Sequence, residues 1–314
     1  TTLTLVIAAS LGLCITSQGQ LFQEDFNIDN TANWTVNASP TDYIADFYYD
    51  YSQIGVPAAP NGTGTRGLKL TANNSTAVFG GLSVSPTGQS FTGEYRVSFD
   101  LWQNYVGPLG VGGSGSTQLS TFGIGTAGAT AAWPGSAANA SGANGVFFGA
   151  TIDGGSSTDY RAYSSAAPTS YAAGNAVYQA PLGAINNSAA YYSGFTPNAA
   201  PAAQVGLFPG QTGSTDAGEI SFAWRRVDIL VEGGFATWSV DGLAFAKVDL
   251  STVTLGGGNI LFGHTDSNAT SSSDPNDFLL NVTLIDNIVV VPEPSTAGLA
   301  LLGALGLLIS RRRS

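Results

Sequence analysis

Residues 225 to 249 constrain the fold more tightly than any other stretch of the chain. Val227, Ile229 and Val231 alternate with Arg226, Asp228 and Leu230 until Gly233-Gly234 breaks the run. Ala236, Trp238 and Val240 resume the alternation, Asp241-Gly242 follows, and Leu243 to Val248 returns. A side-chain period of two marks strands, and Asp-Gly is a favoured two-residue hairpin turn, so the segment reads as a three-strand antiparallel meander. Tyr95, Val97, Phe99 and Leu101 alternate with Arg96, Ser98 and Asp100, which reads as another strand with one buried face. No convincing amphipathic helix is visible between residues 20 and 290. The closing stretch from Leu279 to Val291 is rich in Val, Ile and Leu, and an opening strand at Leu21 to Phe26 can pair with it, bringing the two ends of the domain together. Between residues 107 and 218 only Asp153, Asp159, Arg161 and Asp216 carry charge. Phe122, Trp133, Phe147, Phe148, Tyr160, Tyr163 and Tyr178 are too many aromatics for a passive spacer, so this stretch reads as strands joined by long loops. With 43% hydrophobic residues, the length allows one large all-β domain with a sizeable core.

The run Trp224-Arg225-Arg226-Val227-Asp228-Ile229-Leu230-Val231, followed by Thr237-Trp238-Ser239-Val240-Asp241-Gly242, resembles the concanavalin A-like and laminin-G-like jelly rolls. Asp286-Asn287-Ile288-Val289-Val290 is similar to their last strand and Phe22-Gln23-Glu24-Asp25-Phe26 to their first. The resemblance implies an antiparallel β-sandwich, with an immunoglobulin-type array as the alternative.

The two ends of the chain read differently. Pro292-Glu293-Pro294 precedes an apolar run from Ala297 to Ile309, then Arg311-Arg312-Arg313. As a helix those 13 residues span about 20 Å, short of the roughly 30 Å of a bilayer core, so they make a short membrane helix that needs flanking residues to reach across. The arginines orient such a segment with the bulk of the chain on the far face. The two prolines around Glu293 give a non-helical, accessible junction. All three parts resemble the PEP-CTERM sorting signal of Gram-negative bacteria, a resemblance confined to residues 292–314. It implies recognition by an exosortase, a transient hold in the inner membrane, and delivery to the cell surface or an extracellular polysaccharide matrix. The alternative is a plain tail anchor. At the other end, Leu3 to Leu13 has the length of a signal-peptide core, and Ser17-Gln18-Gly19 supplies small residues for cleavage before Gln20. Thr1 stands without an initiator methionine or basic region, so the true start is expected upstream. Cys14 invites a lipoprotein reading, but Leu13 occupies a position where a lipobox has a small residue. The expected organisation is a signal helix over 1–19, a sandwich over 20–291 and a sorting tail over 292–314 with its membrane helix at 297–309.

Charge and residue supply limit the chemistry. Removing Arg311, Arg312, Arg313 and Glu293 from ten basic and 21 acidic residues leaves seven and 20, a net −13, which repels nucleic acid. Cys14 leaves with the signal, so thiol catalysis is excluded, and His264 is the one histidine, without a Gly-x-Ser-x-Gly elbow to accompany it. It reads as a surface or structural residue. Glycoside hydrolysis needs two carboxyl groups across a cleft, and Glu24, Glu94, Glu219 and Glu232 fit no paired spacing on one strand. The domain is therefore expected to be non-catalytic.

Two clusters are candidates for binding. Asp266, Asn268, Asp274 and Asp277 lie in a loop whose oxygens follow the spacing of a calcium loop, though it lacks the usual glycine and closing glutamate; a solvated polar loop is the alternative. Tyr43, Asp46, Tyr48 and Asp50 combine aromatic faces with hydrogen-bond acceptors, as a sugar site does, while Phe47, Tyr49 and Tyr51 alternate as one face of a core strand would. The composite expectation is an exported, lectin-like sandwich that holds polysaccharide. A purely structural matrix component and an atypical glycosidase stand as alternatives.

Overall fold

The computed structural model describes residues 20–39, 42–74, 80–107, 118–129, 145–153, 157–266 and 274–293. The strands are β1 (Phe22–Glu24), β2 (Trp34–Ser39), β3 (Tyr43–Asp50), β4 (Arg66–Ala72), β5 (Gly80–Pro86), β6 (Tyr95–Asn104) and β7 (Gln118–Thr126). They continue as β8 (Val146–Thr151), β9 (Tyr160–Tyr163), β10 (Arg225–Glu232), β11 (Phe235–Val240), β12 (Leu243–Asp249), β13 (Asn259–Asp266) and β14 (Val282–Pro292). Two short helices, α1 (Ala202–Leu207) and α2 (Asp277–Leu280), lie in connections. One sheet runs β12-β11-β10-β6-β14-β4-β3 with β1 also on β14; the other runs β2-β5-β13-β7-β8-β9. The chain is thus an all-β antiparallel sandwich. Among the described residues no helix is long and apolar enough to cross a membrane, and residues 1–19 and 297–309 lie outside the described part.

The meander β10, β11 and β12 forms at the places the alternation indicates, with Asp241 and Gly242 both at positive φ (48° and 82°), as a tight hairpin turn requires. The ends also meet: Phe22, Gln23 and Glu24 pair with Val290, Val289 and Ile288. Alternate residues from both sheets build the main core, with Trp238 near its centre, its ring 4.7 Å from Phe245 and 5.4 Å from both Phe122 and Phe148.

Two expectations fail for the same kind of reason. β6 is buried on both faces, since Ser98, Asp100, Trp102 and Asn104 are as enclosed as Val97, Phe99 and Leu101. A second apolar cluster, including Tyr51, Ile54, Trp102, Phe222 and Leu284, covers that outer face. Likewise Phe47, Tyr49 and Tyr51 do not share a face. The β3–β4 register shifts between Asp46 and Tyr49, so Phe47 stacks on Trp34 in the main core while Tyr49 and Tyr51 pack in the outer cluster.

At one end the core between the sheets turns polar. Gln103 Nε2 donates to Ser120 Oγ (3.0 Å), Ser120 and Thr283 hydroxyls meet at 2.6 Å, and Thr283 Oγ1 lies 2.9 Å from His264 Nδ1. His264 Nε2 is 3.0 Å from Gln118 Oε1, an acceptor, so Nε2 carries the proton and Nδ1 accepts from Thr283. The chain of donors crosses from β6 and β14 to β7 and β13. His264 is a fully buried structural residue, and burial pushes its pKa down to about 3.

Candidate functional site

The junction with the tail is built by the last strand. β14 runs in the middle of its sheet, pairing β6 along one side and β4 then β1 along the other, and it continues through Pro292, opposite Tyr95. A proline is tolerated there because a strand end has no ladder bond to lose. Glu293 N–H then donates to Glu94 O at 3.0 Å, and Arg96 Nε donates to Glu293 Oε1 at 2.7 Å. The junction is therefore not a free linker at its start: Pro292 and Glu293 belong to the sandwich, past the expected boundary at 291. Glu94 Oε1 also accepts from Gly233 N–H, tying the β10–β11 turn to the same spot. Pro294, Arg311, Arg312 and Arg313 lie outside the described residues. Arg96 is the residue that sequence reading missed, because its partner is 197 positions away.

The aromatic and acidic residues on β3 lie along an exposed sheet edge. Tyr43 and Tyr48 are among the exposed large side chains. Arg66 lies over the Tyr48 ring at 3.8 Å from its centre, so that face is already taken. Asp46 accepts from Tyr48 N–H, and Asp50 accepts from Ser52 N–H, Ser52 Oγ and Thr65 Oγ1. Both carboxylates thus shape the local backbone. The serine and threonine bonds hold Asp50 below the usual carboxylate range, with Ser52 contributing most.

In the expected calcium loop, Asp266 is buried and accepts from Asn73 Nδ2 at 2.6 Å. Asp277 opens α2 and accepts from the Asn281 amide, and Asp274 accepts from Asn276 N–H. Asn268 lies outside the described residues, and among those described no three acidic, histidine or cysteine side chains converge as a metal shell would.

A pair of bonded carboxylates lies on the outer face of the larger sheet, where no motif announced it. Asp100 and Asp286 are cross-strand partners on β6 and β14. Asp100 is fully buried. Its Oδ1 accepts from Asn61 Nδ2 (2.7 Å) and Arg226 (3.2 Å), and its Oδ2 from Asn287 Nδ2 (2.9 Å) and Asn61 N–H (3.2 Å). Asp286 accepts from Tyr51 OH (3.0 Å) and Asn287 N–H (2.7 Å), and Tyr51 OH accepts from Ala59 N–H. Burial, with a smaller contribution from Asp100, pushes the Asp286 carboxyl up to about 7. A general acid with such a pKa would need an open face and a partner across a groove. Here the oxygens instead pin the segment from Tyr51 to Thr65 across the sheet, as a latch.

No family model matches the chain, nor does any curated protein sequence. Solved structures of similar strand layout include a Bacillus subtilis protein of unknown function with a galectin-like fold, at 10% identity and a TM-score of 0.41, covering 88% of this chain and 97% of that one. A Bacillus licheniformis beta-glucanase is similar at 11% identity and a TM-score of 0.39, covering 88% and 99%. The exoplasmic/lumenal domain of VIP36, in a form bound to Ca2+ and Man3GlcNAc, is similar at 9% identity and a TM-score of 0.39, covering 84% of each chain.

Proposed function

We propose that this protein is an exported surface or matrix component, handed over through its Pro-Glu-Pro tail, whose lectin-like sandwich holds polysaccharide without cutting it. The observation that carries the delivery half is the position of Glu293. It follows the last strand directly and is clasped to Glu94 and Arg96, so the tail leaves a finished fold at one fixed point. An exosortase meets a motif whose first residue, Pro292, ends a strand and whose second, Glu293, is clasped to the sheet. The non-catalytic half is supported by Asp100 and Asp286, whose oxygens are occupied by the latch. An acidic surface, with a formal net charge of −11, suits a partner other than nucleic acid.

Mass spectrometry of protein recovered from the surface of an exosortase-bearing Gram-negative cell tests delivery. The expected surface form lacks the residues beyond the Pro-Glu-Pro region; an intact Ser314 on that form contradicts the reading. Because the Arg96–Glu293 pair is part-exposed on both sides, Arg96→Ala is expected to cost the sandwich at most about 1 kcal/mol while loosening the clasp. Hydrogen exchange at the Glu293 amide should then be faster in the variant, with the global melting temperature nearly unchanged. Equal exchange in both proteins removes the clasp.

A further inference from the structure

The end of the sandwich from which the tail leaves is not sealed. A cleft of about 350 Å³ opens there, lined from both sheets, among the turn at residues 90–93, the ends of β7 and β10 and the approach to β13. Phe91, Tyr95, Ile124, Val231, Leu250 and Leu255 give it apolar side chains and four glycines give it backbone walls. Ser90 and Thr92 are its polar side chains, and among the described residues no charged one lines it. Leu255 is 39% exposed, an apolar side chain that the fold leaves in water at the mouth. A Cβ on Gly125 would come within 2.6 Å of Leu255 Cδ2, so the leucine rests directly on backbone.

The last strand delivers the chain to this cleft. Val231, Tyr95 and Pro292 are cross-strand partners in a row over β10, β6 and β14, so they share one face of the larger sheet. Val231 and Tyr95 line the cleft, and Pro292 stands on the next strand, about 4.8 Å further along the row. Glu293 N–H then donates to Glu94 O, one residue past Gly93 of the near wall. Residues 294–314 lie outside the described part. In sequence, Pro294, Ser295 and Thr296 separate that hydrogen bond from the apolar run, which opens Ala297-Gly298-Leu299-Ala300-Leu301-Leu302. Three extended residues reach about 10 Å, enough to bring the start of the run to the mouth.

Cleft and run match in chemistry as well as in place. Each is apolar and uncharged, and each gains by leaving water. Left in solvent, the run is a contiguous apolar patch of the kind that drives association. The leader, Leu3 to Leu13, is the other apolar run in the chain, but it enters through β1, on the side of β14 away from β6 and the cleft. A tail from a second copy competes against a tethered one whose effective concentration is on the order of millimolar.

We propose that this cleft docks the start of the protein's own apolar run, residues 297–302, whenever the run is not in lipid. The assignment rests on the delivery reading above for the role of the run and deepens it. The tail is covered where it leaves the fold, and a membrane or an exosortase takes it from there.

Disulfide trapping in the full chain, made in cells without an exosortase and handled without detergent or lipid, tests it. Cys14→Ser clears the competing thiol, Leu301→Cys labels the run, and Leu255→Cys labels the mouth. The control joins Leu301→Cys to Gln23→Cys, exposed and opposite Val289 across β14, near the exit but outside the cleft. The Leu255 pair should close as an intramolecular disulfide about tenfold faster than the Gln23 pair, the advantage of a docked thiol over one that is merely tethered. Ser90→Cys, also exposed and lining the cleft, should repeat the result, which guards against a local disturbance at Leu255. Equal rates for the cleft and control pairs overturn the docking, and so does closure between molecules that quickens with protein concentration. The two readings fail separately. Equal rates beside a surface form that lacks the tail remove the docking and leave delivery standing, whereas fast closure beside a surface form that keeps Ser314 does the reverse.

Discussion

Asp100→Ala is expected to lower the free energy of unfolding by about 3–5 kcal/mol, the cost of breaking a buried charged pair from one side. The carboxylate is fully buried at the centre of the outer face, and it accepts four hydrogen bonds from Asn61, Asn287 and Arg226. Alanine leaves those donors facing an apolar methyl group, with Asn61 no longer fixed above the sheet. Removing the charge also relieves Asp286 of a like-charged neighbour, which offsets part of the loss. Asp100→Asn should fall between, because an amide keeps one acceptor oxygen but turns an NH2 group toward Arg226 or the asparagines. Urea denaturation monitored by tryptophan fluorescence measures both variants, and a loss below 1 kcal/mol for alanine would show that the latch does not hold the segment from Tyr51 to Thr65. Limited proteolysis should also cut Asp100→Ala within that segment first.

Stability is expected to be greatest in mild acid and to fall by several kcal/mol between about pH 5 and pH 7.5. Asp159 is pushed up to about 6, and Glu219 and Asp286 to about 7, in each case mainly by burial. For a carboxyl raised in this way, the folded state holds a proton that the unfolded state gives up near its ordinary pKa of about 4. Its stabilising contribution is fully present below that value and is lost as pH rises through 6 to 7. His264 works in the opposite sense. Its folded pKa is about 3 against an ordinary value of about 6.5, so its contribution is present above 6.5 and declines as pH falls. At pH 5.5 the folded chain therefore holds nearly three extra carboxyl protons while lacking one on histidine, and the carboxyl groups prevail. Lys69, buried and pushed down to about 8, titrates only at the top of this window. Guanidinium midpoints at pH 5.5 and 7.5 measure the effect, and a higher midpoint at pH 7.5 would overturn it. Glu219→Gln keeps an acceptor for the Asn187 amide, which now bonds Glu219 Oε1 at 2.9 Å, and should flatten the profile.

The readable parts of the fold are those where local pattern and tertiary role agree. Between residues 225 and 249, alternation, glycine pair and Asp-Gly turn all point to one meander, and β10, β11 and β12 follow them. The pairing of the first strand with the last was legible because Leu279 to Val291 is rich in Val, Ile and Leu and resembles a closing jelly-roll strand, with Leu21 to Phe26 as the opening one. β7 and β8 were harder to bound, since their glycines look like loop residues. A Cβ on Gly123 of β7 would lie 2.4 Å from the Phe147 Cβ, and one on Gly263 of the neighbouring β13 would lie 2.4 Å from Thr121 Oγ1 on β7. Those glycines are there because strands pass too closely for a side chain. The sites were less legible for a different reason. Asp100 acquires its role only when a bulge between Asp286 and Val289 places Asn287 over it, a matter of register that a linear pattern does not contain. Arg96 looked like an ordinary solvent-facing strand residue.

The place of β14 has a consequence for how the molecule comes into being. This strand, the last among the described residues, separates β6 from β4 and β1 in the larger sheet. A polypeptide emerging amino end first carries an open seam down that sheet until the 11 residues of β14 arrive, and such distant pairings form slowly. Closure and the arrival of Glu293 are then nearly simultaneous, so whatever grips the tail is gripping a sheet that has only just been zipped shut.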